Sequence, residues 1–108
     1  VNVKIIKISL LLLFLFIHGK AQNLEVPKGV ISGIVVNAST REPLPGVNIT
    51  IVGTSLGAIT DVNGRFNIKD INPGTYSIRA SLLGFSPVVK SDIIINPVRP
   101  ATVEFELS

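Results

Sequence analysis

Few residues in this chain have the type and spacing that chemistry needs, and each of them has a competing structural role. Asp61-Val62-Asn63-Gly64 has the opening spacing of a calcium loop. Such a loop gathers further oxygen ligands and ends on a bidentate carboxylate at its twelfth position. Counted from Asp61, that position is Asn72, which is no carboxylate. Asn-Gly between two extended runs instead predicts a type I′ hairpin, whose two central residues both need positive φ. Turn formation is therefore the expected role of Asp61, Asn63 and Gly64, with weak calcium binding as the lesser alternative.

Glu104 and Glu106 share a strand face and have the residue types of a glycosidase acid–base pair. That chemistry needs a cleft that drives the two pKa values apart. Val103, Phe105 and Leu107 take the opposite, core-facing side, which leaves both glutamates to solvent. The hydroxyls of Ser39, Thr40, Thr54, Ser55 and Ser86 have no histidine beyond His18, and the chain has no cysteine. A Ser-His-Asp arrangement, a thiolate nucleophile, a thiolate zinc site and a disulfide framework are thus excluded. A Ser-Lys pair has its parts, but turn chemistry explains the same residues. Asn37-Ala38-Ser39 and Asn48-Ile49-Thr50 match the glycosylation sequon and read as a loop and an outward strand position. Phe66, Tyr76, Phe85 and Phe105 fall mainly on inward positions, as core rather than as a sugar-stacking platform. Phe85, beside Gly84, is the one expected to be partly exposed. No catalytic, cofactor-binding or metal-ligating residue is assigned.

Residues 1–21 have the layout of a secretory signal peptide, helical and cleaved on export. Lys4 and Lys7 precede an unbroken apolar run over 10–17, and Gly19 and Ala21 stand at −3 and −1 of a cut before Gln22. The run is shorter than the ~20 apolar residues a spanning helix needs. An uncleaved N-terminal anchor is the alternative. No cysteine follows the cut, so lipid attachment there is excluded. Val at position 1 suggests a non-standard start or an incomplete N-terminus. The net charge of +3 belongs to this leader, because Lys4, Lys7 and Lys20 are its cations and the remaining seven cations balance seven anions. Those cations are spread singly, whereas phosphate-backbone binding needs them clustered, so nucleic acid is excluded as a partner.

Beyond the leader, residues 22–29 are polar, hold Pro27 and read as a flexible lead-in. Residues 30–108 form one domain of period-two segments punctuated by turns. The expected strands are 30–36, 47–52, 56–60, 65–69, 75–82, 86–95 (one strand or two short ones) and 101–107. Pro43 and Pro45 fix φ in the loop between the first two and withhold donors from any sheet there. Asn72-Pro73-Gly74 supplies a further turn, with Gly74 free to take positive φ. No stretch keeps helical spacing. Strands with one apolar face each must bury those faces against a second sheet. The expected fold is all-β: a small antiparallel Greek-key-type β-sandwich of about seven strands, with no membrane-spanning segment in the mature domain.

Several spaced elements resemble the carboxypeptidase regulatory-like domain, a transthyretin-like β-sandwich. They are Ser32-Gly33-Ile34-Val35, Glu42-Pro43-Leu44-Pro45-Gly46-Val47-Asn48-Ile49, Gly53-Thr54, Thr60-Asp61-Val62-Asn63-Gly64-Arg65-Phe66, Pro73-Gly74-Thr75-Tyr76, Leu83-Gly84-Phe85 and Val103-Glu104-Phe105-Glu106-Leu107. The family often has Gly at the position of Arg41 and Tyr at that of Phe85. The resemblance implies a non-catalytic module without cofactor. It also implies a setting, because such modules follow the signal peptide of TonB-dependent outer-membrane receptors and precede the TonB box, plug and barrel. The expected protein is then an exported interaction module of the periplasm or outer membrane, as a receptor fragment or a free-standing secreted copy. Its partner would be the rest of a receptor or another periplasmic or outer-membrane protein. The alternative is a carbohydrate-binding or adhesive module with a glycan partner, which needs exposed aromatics. Contacts concentrate on rigidly held loops, which points to Glu42, Pro43, Leu44 and Pro45, to Asp61, Asn63 and Gly64, and to Phe85.

Overall fold

The computed structural model describes residues 25–108. The expected leader and its cut between Ala21 and Gln22 lie outside the described residues. Seven strands follow: β1 (Gly29–Asn37), β2 (Asn48–Ile51), β3 (Gly57–Ile59), β4 (Arg65–Ile71), β5 (Gly74–Ser81), β6 (Val88–Ile95) and β7 (Ala101–Leu107). They form two sheets, β4-β1-β7 and β3-β2-β5-β6. No helix among the described residues is long and apolar enough to cross a membrane.

Alternation decides which side chains face the interior. In β7, Val103, Phe105 and Leu107 are buried while Thr102, Glu104 and Glu106 face out. Val47, Ile49 and Ile51 do the same from the other sheet. Each fully buried Ile, Leu or Phe contributes about 1.5–3 kcal/mol. Phe66 and Phe105 meet at the centre with ring centroids 6.3 Å apart and planes tilted by 50°. Two strands keep their apolar side inward only by adding a residue. Ile68 and Ile71 of β4 are both buried although three apart, because Asp70 takes φ 59° and shifts the register against β1. Asp92, at φ 61°, does the same in β6 against β5. Both are β-bulges, and aspartate is among the few residues that tolerate this left-handed backbone.

The structure is the all-β sandwich that the pattern predicts, with four local differences. First, pairing is antiparallel except between β1 and β7, which run parallel. Second, residues 61–64 are not a type I′ hairpin. The strands they join lie in different sheets, so no shared ladder demands a two-residue turn. Only Gly64 has positive φ, at 72°. Its N–H donates to the Asp61 carbonyl at 2.9 Å, while the Asp61 Oδ1 accepts the N–H groups of Asn63 (2.9 Å) and Arg65 (3.0 Å). Third, Gly74 does not use positive φ; it already pairs with Ile95 as the first residue of β5. The link from β4 to β5 is again a corner between sheets, braced where the Tyr76 hydroxyl donates to the Asn72 carbonyl at 2.6 Å. Fourth, Pro43 does not keep its loop off the sheet, for it bridges to Val36. The bonds use its neighbours: Asn37 N–H donates to the Glu42 carbonyl (2.8 Å) and Leu44 N–H to the Val35 carbonyl (2.9 Å).

Candidate functional site

Strand directions bring three connections to one end of the sandwich. β1, β3, β5 and β7 finish there and β2, β4 and β6 begin there, so residues 38–47, 60–64 and 82–87 share that end. All the residues singled out as interaction positions lie on these three loops.

The first two loops form one structure, joined through Thr60. Its side chain is buried at 5% exposure, and its hydroxyl donates to the Leu44 carbonyl (2.7 Å) and accepts the Val47 N–H (2.9 Å). Its main chain bonds Val47 and Gly46, both at 3.0 Å. Gly64 lies beneath. A Cβ there would stand 2.5 Å from the Val35 carbonyl oxygen and 3.1 Å from the Pro43 side chain, so this approach requires glycine as much as the φ does. The loops thus hold Glu42, Pro43, Leu44, Pro45, Asp61, Asn63 and Gly64 as one cluster. Phe85 stands on the third loop, half-buried against the core and not bonded to the other two. Its N–H donates to the Leu82 carbonyl at 3.0 Å, and Ser86 N–H to the Ser108 carbonyl at 2.8 Å.

The most exposed apolar groups at this end are Val62, at 82%, and Leu83, at 99%. Thr60, Val62 and Leu83 stand within motifs quoted from the sequence, but none of the three was named individually as an interaction position. Val62 and Leu83 are apolar residues inside turn motifs, and that mismatch is the signal that could have flagged them.

Glu104 and Glu106 do face solvent, but not alone. Arg41 bonds Glu106 closely and reaches Glu104 at 3.4 Å, with all three side chains about half exposed. The Glu106 hydrogen bond, then its charge and that of Glu104, raise the Arg41 pKa above its ordinary value. Arg41 sits at φ 64°, a backbone that glycine takes without strain. Two carboxylates tied to one guanidinium make a half-exposed ionic clamp. The hydroxyls serve turns: Thr54 Oγ1 donates to the Ile51 carbonyl (2.9 Å) and accepts the Leu56 N–H (3.0 Å). Asp61 spends Oδ1 on two N–H groups, and among the described residues no three His, Asp or Glu side chains gather as a metal site. Phe66 and Phe105 are buried and Tyr76 is half-buried, so these rings present no open stacking surface.

The fold is that of a small two-sheet β-sandwich domain, with three connections gathered at one end. Residues 30–108 match the carboxypeptidase regulatory-like domain, and the chain belongs to that family. It is 31% identical over 81 residues to the TonB-dependent transporter Oar of Myxococcus xanthus, covering 71% of this chain and 8% of that protein. It is 35% identical over 80 residues to the TonB-dependent receptor P3 of Formosa agariphila, covering 71% of this chain and 7% of that protein. The chain therefore spans less than a tenth of the length of these relatives. Among solved structures it is similar to a chain in a type II cohesin–X-dockerin complex from Acetivibrio cellulolyticus. That similarity has a TM-score of 0.60 and 28% identity, covering 71% of this chain and 52% of the other.

Proposed function

We propose that this chain is an exported, non-catalytic binding module, the periplasmic N-terminal extension of a TonB-dependent outer-membrane receptor for nutrient uptake. Its loop end engages a protein of the cell envelope. The observation that carries this reading is the Thr60 junction, which holds two loops as one rigid surface with Val62 at its tip. A surface ordered before binding loses little conformational entropy when a partner docks, which is how a small module gains affinity without a deep pocket. Similarity to two TonB-dependent proteins supports the receptor setting, and similarity to a chain in a protein–protein complex supports a protein partner. Leu83, on the third loop, adds a second exposed apolar group at the same end.

Site-specific photo-cross-linking in the native cell tests the reading. Probes at Val62 and Leu83 should give a discrete adduct with a periplasmic or outer-membrane protein. Probes at Val52 and Val98, exposed at the opposite end, should not. Equal labelling at both ends, no adduct at either, or recovery of the chain in the cytosol would refute it.

A further inference from the structure

The sandwich has two seams where an edge strand of one sheet passes an edge strand of the other, and they differ. At the β6–β7 seam, β6 carries the Asp92 bulge and Lys90, whose ammonium donates to the Glu104 carbonyl and stands 5.6 Å from the centre of the Phe105 ring. Bulges and lysines are devices that stop an edge from pairing with a foreign strand. At the β3–β4 seam the guards stand on β4 alone, which carries Lys69 and the Asp70 bulge. β3 is Gly57-Ala58-Ile59, with no charge and no bulge.

Backbone parity shows what this seam leaves open. Leu56, Ala58 and Thr60 turn their main chain toward β2: the Leu56 carbonyl accepts Ile51 N–H, and Thr60 N–H donates to the Val47 carbonyl. Gly57 and Ile59 therefore turn their N–H and C=O groups the other way, and these have no partner among the described residues. Across the seam, Gly64 bonds to β1, so Arg65 and Asn67 turn their main chain toward β3. Asp61 N–H, just past β3, donates to the Arg65 carbonyl at 2.9 Å, and no ladder pairs β3 with β4. Beside β3 lies a groove of about 630 Å³ that runs over the β4-β1-β7 sheet, lined by Ala58 and Ile59, by Arg65 and Asn67 of β4, and by residues of β1 and β7, Glu104 among them. Ile59 is 69% exposed beside it.

The charges along the groove are not equally engaged. Asp61 spends an oxygen on two N–H groups and Glu104 is paired with Arg41. Arg65, in the groove, and Lys69, four residues further along β4 and outside the groove lining, have no ion-pair partner among the described residues. We propose that the β3–β4 groove takes an extended acidic peptide of a partner protein. That peptide adds to β3 through the main chain of Gly57 and Ile59 and sets a carboxylate on Arg65. This rests on the reading of the chain as a binding module but uses a surface separate from the Val62–Leu83 tip.

The test uses the purified protein and labelled peptides of roughly ten residues, enough to span such an edge. One peptide alternates Val with Glu, one alternates Val with Lys, and one is the Val/Glu peptide N-methylated at alternate residues. Anisotropy should show the Glu peptide binding, with the Lys peptide about tenfold weaker and the N-methylated one lost. Arg65→Glu should invert the charge preference, and bound Glu peptide should slow amide exchange at Gly57 and Ile59. Ile59→Pro removes an unpaired edge donor and should abolish binding. No binding of the Glu peptide, equal binding of the Lys peptide, or binding that leaves the Gly57 and Ile59 amides unchanged would overturn the proposal. So would self-association through this edge, seen as a mass that grows with concentration. Val62→Ser and Leu83→Ser should leave peptide affinity intact. If peptide binding fails while the tip still cross-links, the groove proposal falls and the loop-end reading stands. If peptide binding persists while the tip gives no adduct, the loop-end reading falls and the groove proposal stands.

Discussion

At one end of the sandwich, residues 38–47 and 60–64 are joined by four hydrogen bonds that all pass through Thr60. At the other end, no hydrogen bond among the described residues joins one connection to another. The Asn96 carboxamide oxygen accepts Val98 N–H (3.1 Å) and Arg99 N–H (2.9 Å). Thr54 caps its own turn, and Tyr76 braces the corner at Asn72. Both ends use the ordinary turn residues Asn, Pro, Gly and Thr, and both expose a valine or two. The difference lies in who bonds to whom. A loop tied only to itself can move without disturbing its neighbours, whereas loops that share a buried hydroxyl move together or not at all. The contrast teaches that two loops can be tied into one unit by one buried threonine rather than by a larger core.

Replacing Thr60 should separate the two ends most sharply. Thr60→Val keeps the shape but leaves the Val47 N–H and the Leu44 carbonyl buried without a partner, at a cost of about 3 kcal/mol in urea denaturation. Thr60→Ser keeps the hydroxyl and should recover most of that loss. Gly64→Ala comes next, at about 2 kcal/mol, because it combines positive φ with a clash against the Val35 carbonyl. At the self-closed end, Tyr76→Phe should cost only about 1 kcal/mol, the worth of one hydrogen bond. Arg41→Gly is expected to leave the midpoint where it is, since relief of the left-handed backbone offsets a solvent-screened ion pair. Arg41→Ala, which loses the pair and keeps the strain, should lower the midpoint. If Thr60→Val and Tyr76→Phe proved equally mild, the distinction between the ends would be one of drawing only.

Much of the fold was legible because alternation is strict where one face is buried. Val103, Phe105 and Leu107 could be assigned inward from the residues alone, and the strands of residues 30–108 fell close to their observed bounds. What escaped were features that depend on which sheet a strand joins. Asp61-Val62-Asn63-Gly64 has the local chemistry of a hairpin, yet its flanking strands part company, and nothing within those four residues says so. The parallel partnership of β1 with β7 joins segments more than sixty positions apart and leaves no local mark. The bulges at Asp70 and Asp92 were hidden for the same reason, since each corrects a pairing that the sequence does not spell out.

The site was half legible. Turn residues pointed to three loops that the fold gathers at one end, but Thr60 was no more than the last residue of a short expected strand. Its importance appears only when Leu44 and Val47 arrive beside it from elsewhere in the chain. Arg41 likewise has no sequence neighbour to explain it, because Glu104 and Glu106 reach it only after β7 has docked along β1.

Amide hydrogen exchange of the native protein, read residue by residue, bears on the central claim most directly. If the Thr60 junction makes one rigid body of two loops, the amides of Gly46, Val47 and Thr60 exchange as slowly as those of Ile49 and Phe105 in the core. The amides of Ser55, Val98 and Arg99 at the far end exchange quickly. Fast exchange at Gly46, Val47 and Thr60, level with that far end, would contradict the account.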